Sequence, residues 1–259
     1  IFIIYLCFYG AVAFFAIYRY EFYHINEASV FKLYFSYINY KDELKEFNSS
    51  MRGINTMHVS KLNIQGKETH IVIIGESTSK YHMQLYGYHR ATTPNLEKIK
   101  NKLIIFKNVK SSNVHTIASL KDVLVFKDSN GAFTPNTLLD CFSSAGFKTY
   151  WLSNQPFFGE NQTIVSSIAN RANKKIFIDP IGECKFDEDL LPELDKVLKG
   201  NEEKKVIFIH LMGTHLSYQD RYPNKFNYFQ TKNISFFGDH ADSFINHYDN
   251  AIRYNDFII

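Results

Sequence analysis

The sequence predicts an α/β fold built on a mainly parallel sheet with helices on both faces, and three observations carry that reading. Two short apolar runs rich in β-branched residues, His70–Ile74 and Val206–Ile209, have the composition of buried strands. Each is followed by a glycine turn, Gly75-Glu76 after the first and Gly213-Thr214-His215 after the second. Segments with helical spacing lie between such runs, and repeated strand-then-helix with short connections is the pattern of a parallel sheet. The stretch His70–Ser77 reads as a strand at the centre of that sheet, with Glu76 just past its carboxyl end. Open α/β sheets build their sites there, because the loops leaving the strands converge on one crevice. A carboxylate so placed needs a cation or a proton to offset its burial, and a metal ion is one natural partner.

Composition bounds the rest. A chain of 259 residues has room for one large α/β domain plus extra segments. The net charge of +3 is mild and the lysines are scattered among acids, so no basic stripe for nucleic acid is present. An aromatic content of 16% suits membrane-proximal surfaces as well as ordinary cores. Cys7, Cys141 and Cys184 form no CxxC pair and no zinc-ligand spacing; Cys141 and Cys184 could pair only if the fold brings them together, and free thiols are the favoured reading.

Residues 1–18 carry no charge and approach the roughly 20 apolar residues that cross a bilayer. Arg19 and the aromatics Tyr18, Tyr20, Phe22 and Tyr23 follow as an interfacial belt would. The expectation is the end of a transmembrane anchor, with a buried core helix as the alternative. In residues 19–66, Phe31, Leu33, Tyr34, Tyr37 and Ile38 recur at helix-like spacing. They predict an amphipathic juxtamembrane helix or, equally, a helix packed on the globular domain, followed by a polar linker over Asn48–Gly66. Residues 67–259 form the main domain. The start without methionine and the apolar end at Asp256–Ile259 read as an internal piece of a longer protein.

Within that domain Thr93-Pro94 starts a helix that runs to about Asn101, since threonine caps well and proline suits the first helical position. Leu103–Val109 reads as a second strand. The polar loop Ser111–Thr116 leads into a helix with Ile117, Leu120, Val123 and Leu124 on one face. Thr116 therefore lies at or beside a helix N-terminus, where backbone N–H groups favour an anion. Asn136–Ala145 is predicted helical, Phe147–Leu152 a strand, Glu188–Leu198 a helix, Lys205–Leu211 a strand and Phe244–Ile259 a final helix.

Three strand ends then supply polar groups to one rim: Glu76, Asn154-Gln155 and His215, with Thr116 joining from a loop. A carboxylate, a hydroxyl and an imidazole at one edge suggest a metal-activated hydroxyl nucleophile, because a divalent cation lowers a hydroxyl's pKa. By itself the convergence is weak, since many α/β proteins end their strands in polar residues.

Longer motifs add a family. Gly75-Glu76-Ser77-Thr78, followed by Leu85-Tyr86-Gly87-Tyr88-His89-Arg90-Ala91-Thr92-Thr93-Pro94-Asn95-Leu96, resembles the signature of the phosphoethanolamine transferases that modify lipid A or lipopolysaccharide core. These belong to the sulfatase-like branch of the alkaline phosphatase superfamily. His115–Leu120 is similar to their nucleophile loop, and His210-Leu211-Met212-Gly213-Thr214-His215 with Arg221-Tyr222-Pro223 to their HLxGTH and RYP block. The resemblance runs from Thr69 to Ile259.

It implies a zinc-dependent enzyme anchored in the bacterial inner membrane, with its catalytic domain in the periplasm. Phosphoethanolamine would pass from phosphatidylethanolamine to lipid A or lipopolysaccharide core through a phosphothreonine-type intermediate. By the match, Glu76 is a zinc ligand and Thr116 both the nucleophile and a metal contact. His215 contacts the phosphate or a second metal, and Asn154 contacts substrate.

The chain also departs from the pattern. Val114-His115 stands where the better-known lipid A enzymes have Cys-Gly, and Phe157 and Phe158 stand where they place a lysine, which tilts the match toward core-modifying members. The Asp-His pair of their S-D-H-G motif is missing. Gly238-Asp239-His240-Ala241 lacks the flanking serine and glycine and reads as a loop, so the pair is expected beyond Ile259 and this chain alone is expected to be inactive. The alternatives are another sulfatase-like hydrolase, a phosphoglycerol transferase, or a non-catalytic membrane-tethered binding domain of the same fold. Thr116 argues against a sulfatase, which would need a cysteine or serine there.

Overall fold

In the computed structural model, which describes residues 29–51, 66–157, 163–178, 186–230 and 240–259, the apolar runs pair as their alternation with helices demands. The chain divides into two units, Ile1–Ser50 and Met51–Ile259. The first contributes one described helix, α1 (Ser29–Ser50), with Tyr34, Phe35, Tyr37 and Ile38 exposed. It extends into the stretch expected to be linker. No described helix is long and apolar enough to cross a membrane, and the expected anchor, residues 1–18, lies outside the described residues.

The second unit has strands β1 (Glu68–Ile74), β2 (Val125–Lys127), β3 (Phe133–Thr137), β4 (Lys148–Ser153), β5 (Lys174–Phe177) and β6 (Lys204–His210). Its helices are α2 (Pro94–Lys98), α3 (Thr116–Leu124), α4 (Leu138–Ser144), α5 (Ile164–Ala169), α6 (Leu191–Leu198) and α7 (His240–Ile258). Four strands form a wholly parallel sheet in the order β1-β6-β4-β5. Its centre is the most apolar pair. Val206, Ile207 and Phe208 of β6 and Trp151 and Leu152 of β4 are fully buried, and Trp151 stacks on Phe208 at 6.0 Å. Tyr150, Leu152, Ile207 and Ile209 pack with Leu190, Val197 and Leu211. Each fully buried side chain of this size contributes about 1.5–3 kcal/mol. The register sets Ile74 and Ser153 both opposite His210, so β1, β4 and β6 end at one level.

Several expectations are corrected. β1 is not central: among the described residues it pairs with β6 alone, and Ile71 and Ile73 are 45% and 42% exposed. An apolar run reports a tendency to be buried, whereas strand order depends on pairing with residues more than a hundred positions away. Leu103–Val109 forms no strand, with Ile104, Phe106 and Val109 exposed. Asn136 and Thr137 belong to β3, which pairs antiparallel with β2 in a small hairpin the periodicity did not predict. Its signal was the turn Asp128-Ser129-Asn130-Gly131, where Asp128 accepts from the Asn130 and Ala132 N–H groups and Gly131 takes a φ of 82°. Thr137 then caps α4 in a capping box with Asp140.

α2 is five residues long and Thr93 does not cap it. Thr93 accepts instead from the Leu85 N–H, while Asp256 of α7 takes the Asn95 and Leu96 N–H groups. On α3 the buried face holds Leu120 and Leu124, and Val123 is 68% exposed. His240 and Ala241 open α7 instead of forming a loop, and Asp239 lies outside the described residues. Cys141 is a free thiol; Cys7 and Cys184 also lie outside them.

Candidate active site

Glu76 stands two residues beyond β1 and is buried to 8% exposure. Its main chain is held by the turn that leaves β6. The Thr214 N–H and Oγ1 both donate to the Glu76 carbonyl, at 3.0 and 2.8 Å, and the Leu211 N–H donates to Ile74. The approach is close enough to require glycine at 213. That residue has a φ of 57°, and a Cβ there would lie 2.9 Å from the Glu76 nitrogen. Ser77 follows with a φ of 53°, in the left-handed region that a side chain rarely enters, and turns its Oγ back to donate to Glu76 Oε1 at 2.8 Å. Tyr248 of α7 clamps this bend, donating to the Ser77 carbonyl and accepting from the Ser79 N–H, each at 2.7 Å. Burial raises its phenol pKa, so it stays protonated to donate.

Thr116 is the first residue of α3. Its Oγ1 lies 2.9 Å from Glu76 Oε1 and 2.8 Å from Oε2. One hydroxyl proton is shared between two carboxylate oxygens, so three oxygens gather around little positive charge. Among the described residues only the Ser77 and Thr116 hydroxyls meet the Glu76 carboxylate. Its preceding residue, His115, gives α3 no side-chain cap, which leaves the first-turn N–H groups for an anion.

Two cavities of about 400 Å³ each share Glu76, His115 and Thr116. One extends along Thr78, Ser111 and Asn113; the other along Ser153, Gln155, Ser166, Phe177, His210 and His215. Three of the four expected site residues, Glu76, Thr116 and His215, thus line one hollow. Asn154 does not. It is fully buried, lines neither cavity, and turns its Nδ2 inward to donate to Asp187 at 2.9 Å, while its neighbour Gln155 faces the hollow.

His210 also lines the second cavity, edge-on to Trp151 at 5.7 Å, with neither ring nitrogen hydrogen-bonded among the described residues. Burial pushes its pKa down to about 4, so it is neutral near pH 7. Sequence reasoning assigned no role to His210, Tyr248 or Asp187. Tyr248 had no local signal, its contact with Ser77 spanning 171 positions.

The motif Leu85–Leu96 has another task. Tyr88 and Arg90 donate to Asp249 of α7 at 2.9 and 2.8 Å, and His82 Nδ1 lies 2.8 Å from the same carboxylate. None of these residues lines either cavity. They fasten the chain leaving β1 to α7.

Comparison with known proteins adds four findings. The sulfatase family pattern matches residues 68–259. Phosphoethanolamine transferase EptC of Escherichia coli is 33% identical over 204 residues, which cover 74% of this chain and 35% of that protein. The Kdo(2)-lipid A phosphoethanolamine 7''-transferase of Salmonella typhimurium is 32% identical over 206 residues, covering 75% and 36%. The chain thus spans about a third of the length of these relatives. Among solved structures, the zinc complex of the C-terminal periplasmic domain of EptC from Escherichia coli superposes with a TM-score of 0.69 at 30% identity, covering 77% of this chain and 59% of that one.

Proposed function

The chain belongs to the sulfatase family, and from that premise we propose that it carries the nucleophile and part of the metal site of a zinc-dependent phosphoethanolamine transferase. The single observation that carries the proposal is Thr116 Oγ1 within 2.8 and 2.9 Å of the two Glu76 oxygens, at a helix N-terminus beside a cavity. The similarity to transferases of that name supports the reaction.

The donor set suits zinc in part. Glu76 and Thr116 offer oxygen ligands, and no described cation already neutralises the carboxylate. A zinc site takes four ligands as a rule, and no group of three His, Cys, Asp or Glu side chains suited to a metal is found among the described residues, so further ligands are required. When bound, zinc would lower the hydroxyl's pKa so that it ionises near neutral pH.

The chain's own groups then divide the work. Glu76 orients Oγ1. That oxygen, its proton given up to solvent, attacks the phosphorus of phosphatidylethanolamine; the new Oγ–P bond forms as the P–O bond to diacylglycerol breaks, the leaving oxygen takes up a proton from solvent, and phosphoethanolamine is left on Thr116. His215, which lines the same cavity, and the uncapped first-turn N–H groups of α3 are the groups proposed to stabilise charge on the phosphoryl oxygens. A hydroxyl or phosphate of lipid A or lipopolysaccharide core takes the group in a second displacement. Asn154 supports the rim from inside. The periplasmic face of the inner membrane, where both lipids are accessible, is the proposed setting, with residues 1–18 as part of the anchor.

Thr116→Ala in the full-length protein tests this. Mass spectrometry of the lipopolysaccharide should show transfer reduced at least ~1,000-fold, as expected for loss of a nucleophile. Retained phosphoethanolamine on the glycolipid defeats the assignment.

A further inference from the structure

Asp187 lies 71 residues past Thr116, yet its carboxylate underpins the same rim. It opens the 3-10 turn Asp187–Leu190 that leads into α6 and is 3% exposed. Three donors converge on it: Asn154 Nδ2 at 2.9 Å and the Met212 N–H at 2.8 Å on Oδ1, and the Gly213 N–H at 2.9 Å on Oδ2. Asn154 is the residue after β4, and Met212-Gly213 begin the turn after β6. The same turn holds Glu76 through both donors of Thr214 and through the close approach of Gly213. Burial raises the Asp187 pKa, opposed by those three hydrogen bonds and by the charge of Arg221. The two carboxyl oxygens receive three N–H groups at once, and an amide in their place would set a donor against a donor.

We infer that Asp187 is a positioning residue for the Glu76–Thr116 pair: it locks the Met212–Thr214 turn, and the turn fixes where Glu76 leaves β1. The catalytic consequence rests on the transferase reading; the mechanical linkage does not.

Asp187→Asn in the full-length protein tests it by hydrogen–deuterium exchange of peptides covering 74–80 and 211–216, with zinc binding and steady-state kinetics alongside. Exchange should quicken by about tenfold in both peptides. Zinc affinity should fall roughly 10–100-fold, as for loss of an outer-shell support, and kcat should fall while KM for the lipid donor stays within about twofold. Lys205→Met is the stability control. It removes a buried ammonium that caps α6 from the opposite end of β6, and should lower the melting temperature with both peptides unchanged.

Wild-type exchange at 74–80 in Asp187→Asn, or the same pattern in the control, overturns the inference. Should Asp187→Asn fail to fold, Asp187→Ser, which leaves room for water to meet the stranded N–H groups, carries the same readout. Quickened exchange at 74–80, in a protein whose wild type transfers no phosphoethanolamine, would sink the proposed function and leave the positioning role standing.

Discussion

The chain leaving β1 carries one buried carboxylate, Glu76, and docks on another, Asp249 of α7, and the two are completed differently. Asp249 is fully buried and has Arg90, Tyr88 and His82 within 2.8 to 2.9 Å, so a cation and further polar groups meet it. Glu76, 8% exposed, is met by two hydroxyls among the described residues. Since a buried carboxylate without a cation is costly, the first arrangement is finished and the second is suited to an incoming positive charge. The contrast also explains the long motif. Its Tyr88 and Arg90 are spent on fastening, whereas the Gly75–Thr78 segment ahead of it lines a cavity.

Breaking the open member should cost function first. Glu76→Gln keeps the shape and removes the charge, so the zinc affinity of the purified full-length protein should fall by more than the roughly 10–100-fold that loss of an outer-shell partner costs. Its melting temperature in the absence of zinc should stay near that of wild type. Normal zinc affinity in this variant would remove Glu76 from the metal site.

Breaking the closed member should do the opposite. Asp249→Asn strands Arg90, which is 29% exposed and so partly rehydrated, and should cost about 2–3 kcal/mol in chemical denaturation while zinc content is kept. Lost zinc with unchanged stability would invert the comparison.

A pH-dependent effect of comparable size sharpens it. His210 has its pKa lowered from 6.5 to about 4 by burial, so the folded state favours its neutral form. Its contribution is fully present above pH 6.5. It is lost as acid protonates the unfolded chain first, and up to about 3 kcal/mol goes between pH 6.5 and 4. His210→Phe should flatten that part of the stability profile, and an unchanged slope would show that the imidazole is not the group responsible.

Much of this was legible locally. Val206–Ile209 announced a buried strand by composition, and Thr116 lay at the start of its helix as the polar loop before it predicted. Glycine marked both strand ends, and at Gly213 it does so because two backbones meet there: a Cβ would lie 2.9 Å from the Glu76 nitrogen. Other features left no local trace. Leu103–Val109 has the composition of a strand but no ladder among the described residues. Asn154 looked like a rim residue until Asp187, 33 positions on, drew its amide inward. Asp187 itself sits in the run Asp187-Glu188-Asp189, which reads as ordinary acid at a helix start.

The sequence alone determined that runs such as Val206–Ile209 become strands, and that a carboxylate closes one strand while a hydroxyl opens one helix, because at those places backbone preference is decided by near neighbours. Only the tertiary structure decided that those two groups, 40 positions apart, come within 2.8 Å, and that β1 lies outside β6. Such distances follow from the register of parallel pairing. Its partners, such as Glu68 and Lys204, are far apart along the chain and are brought together only when the whole sheet forms.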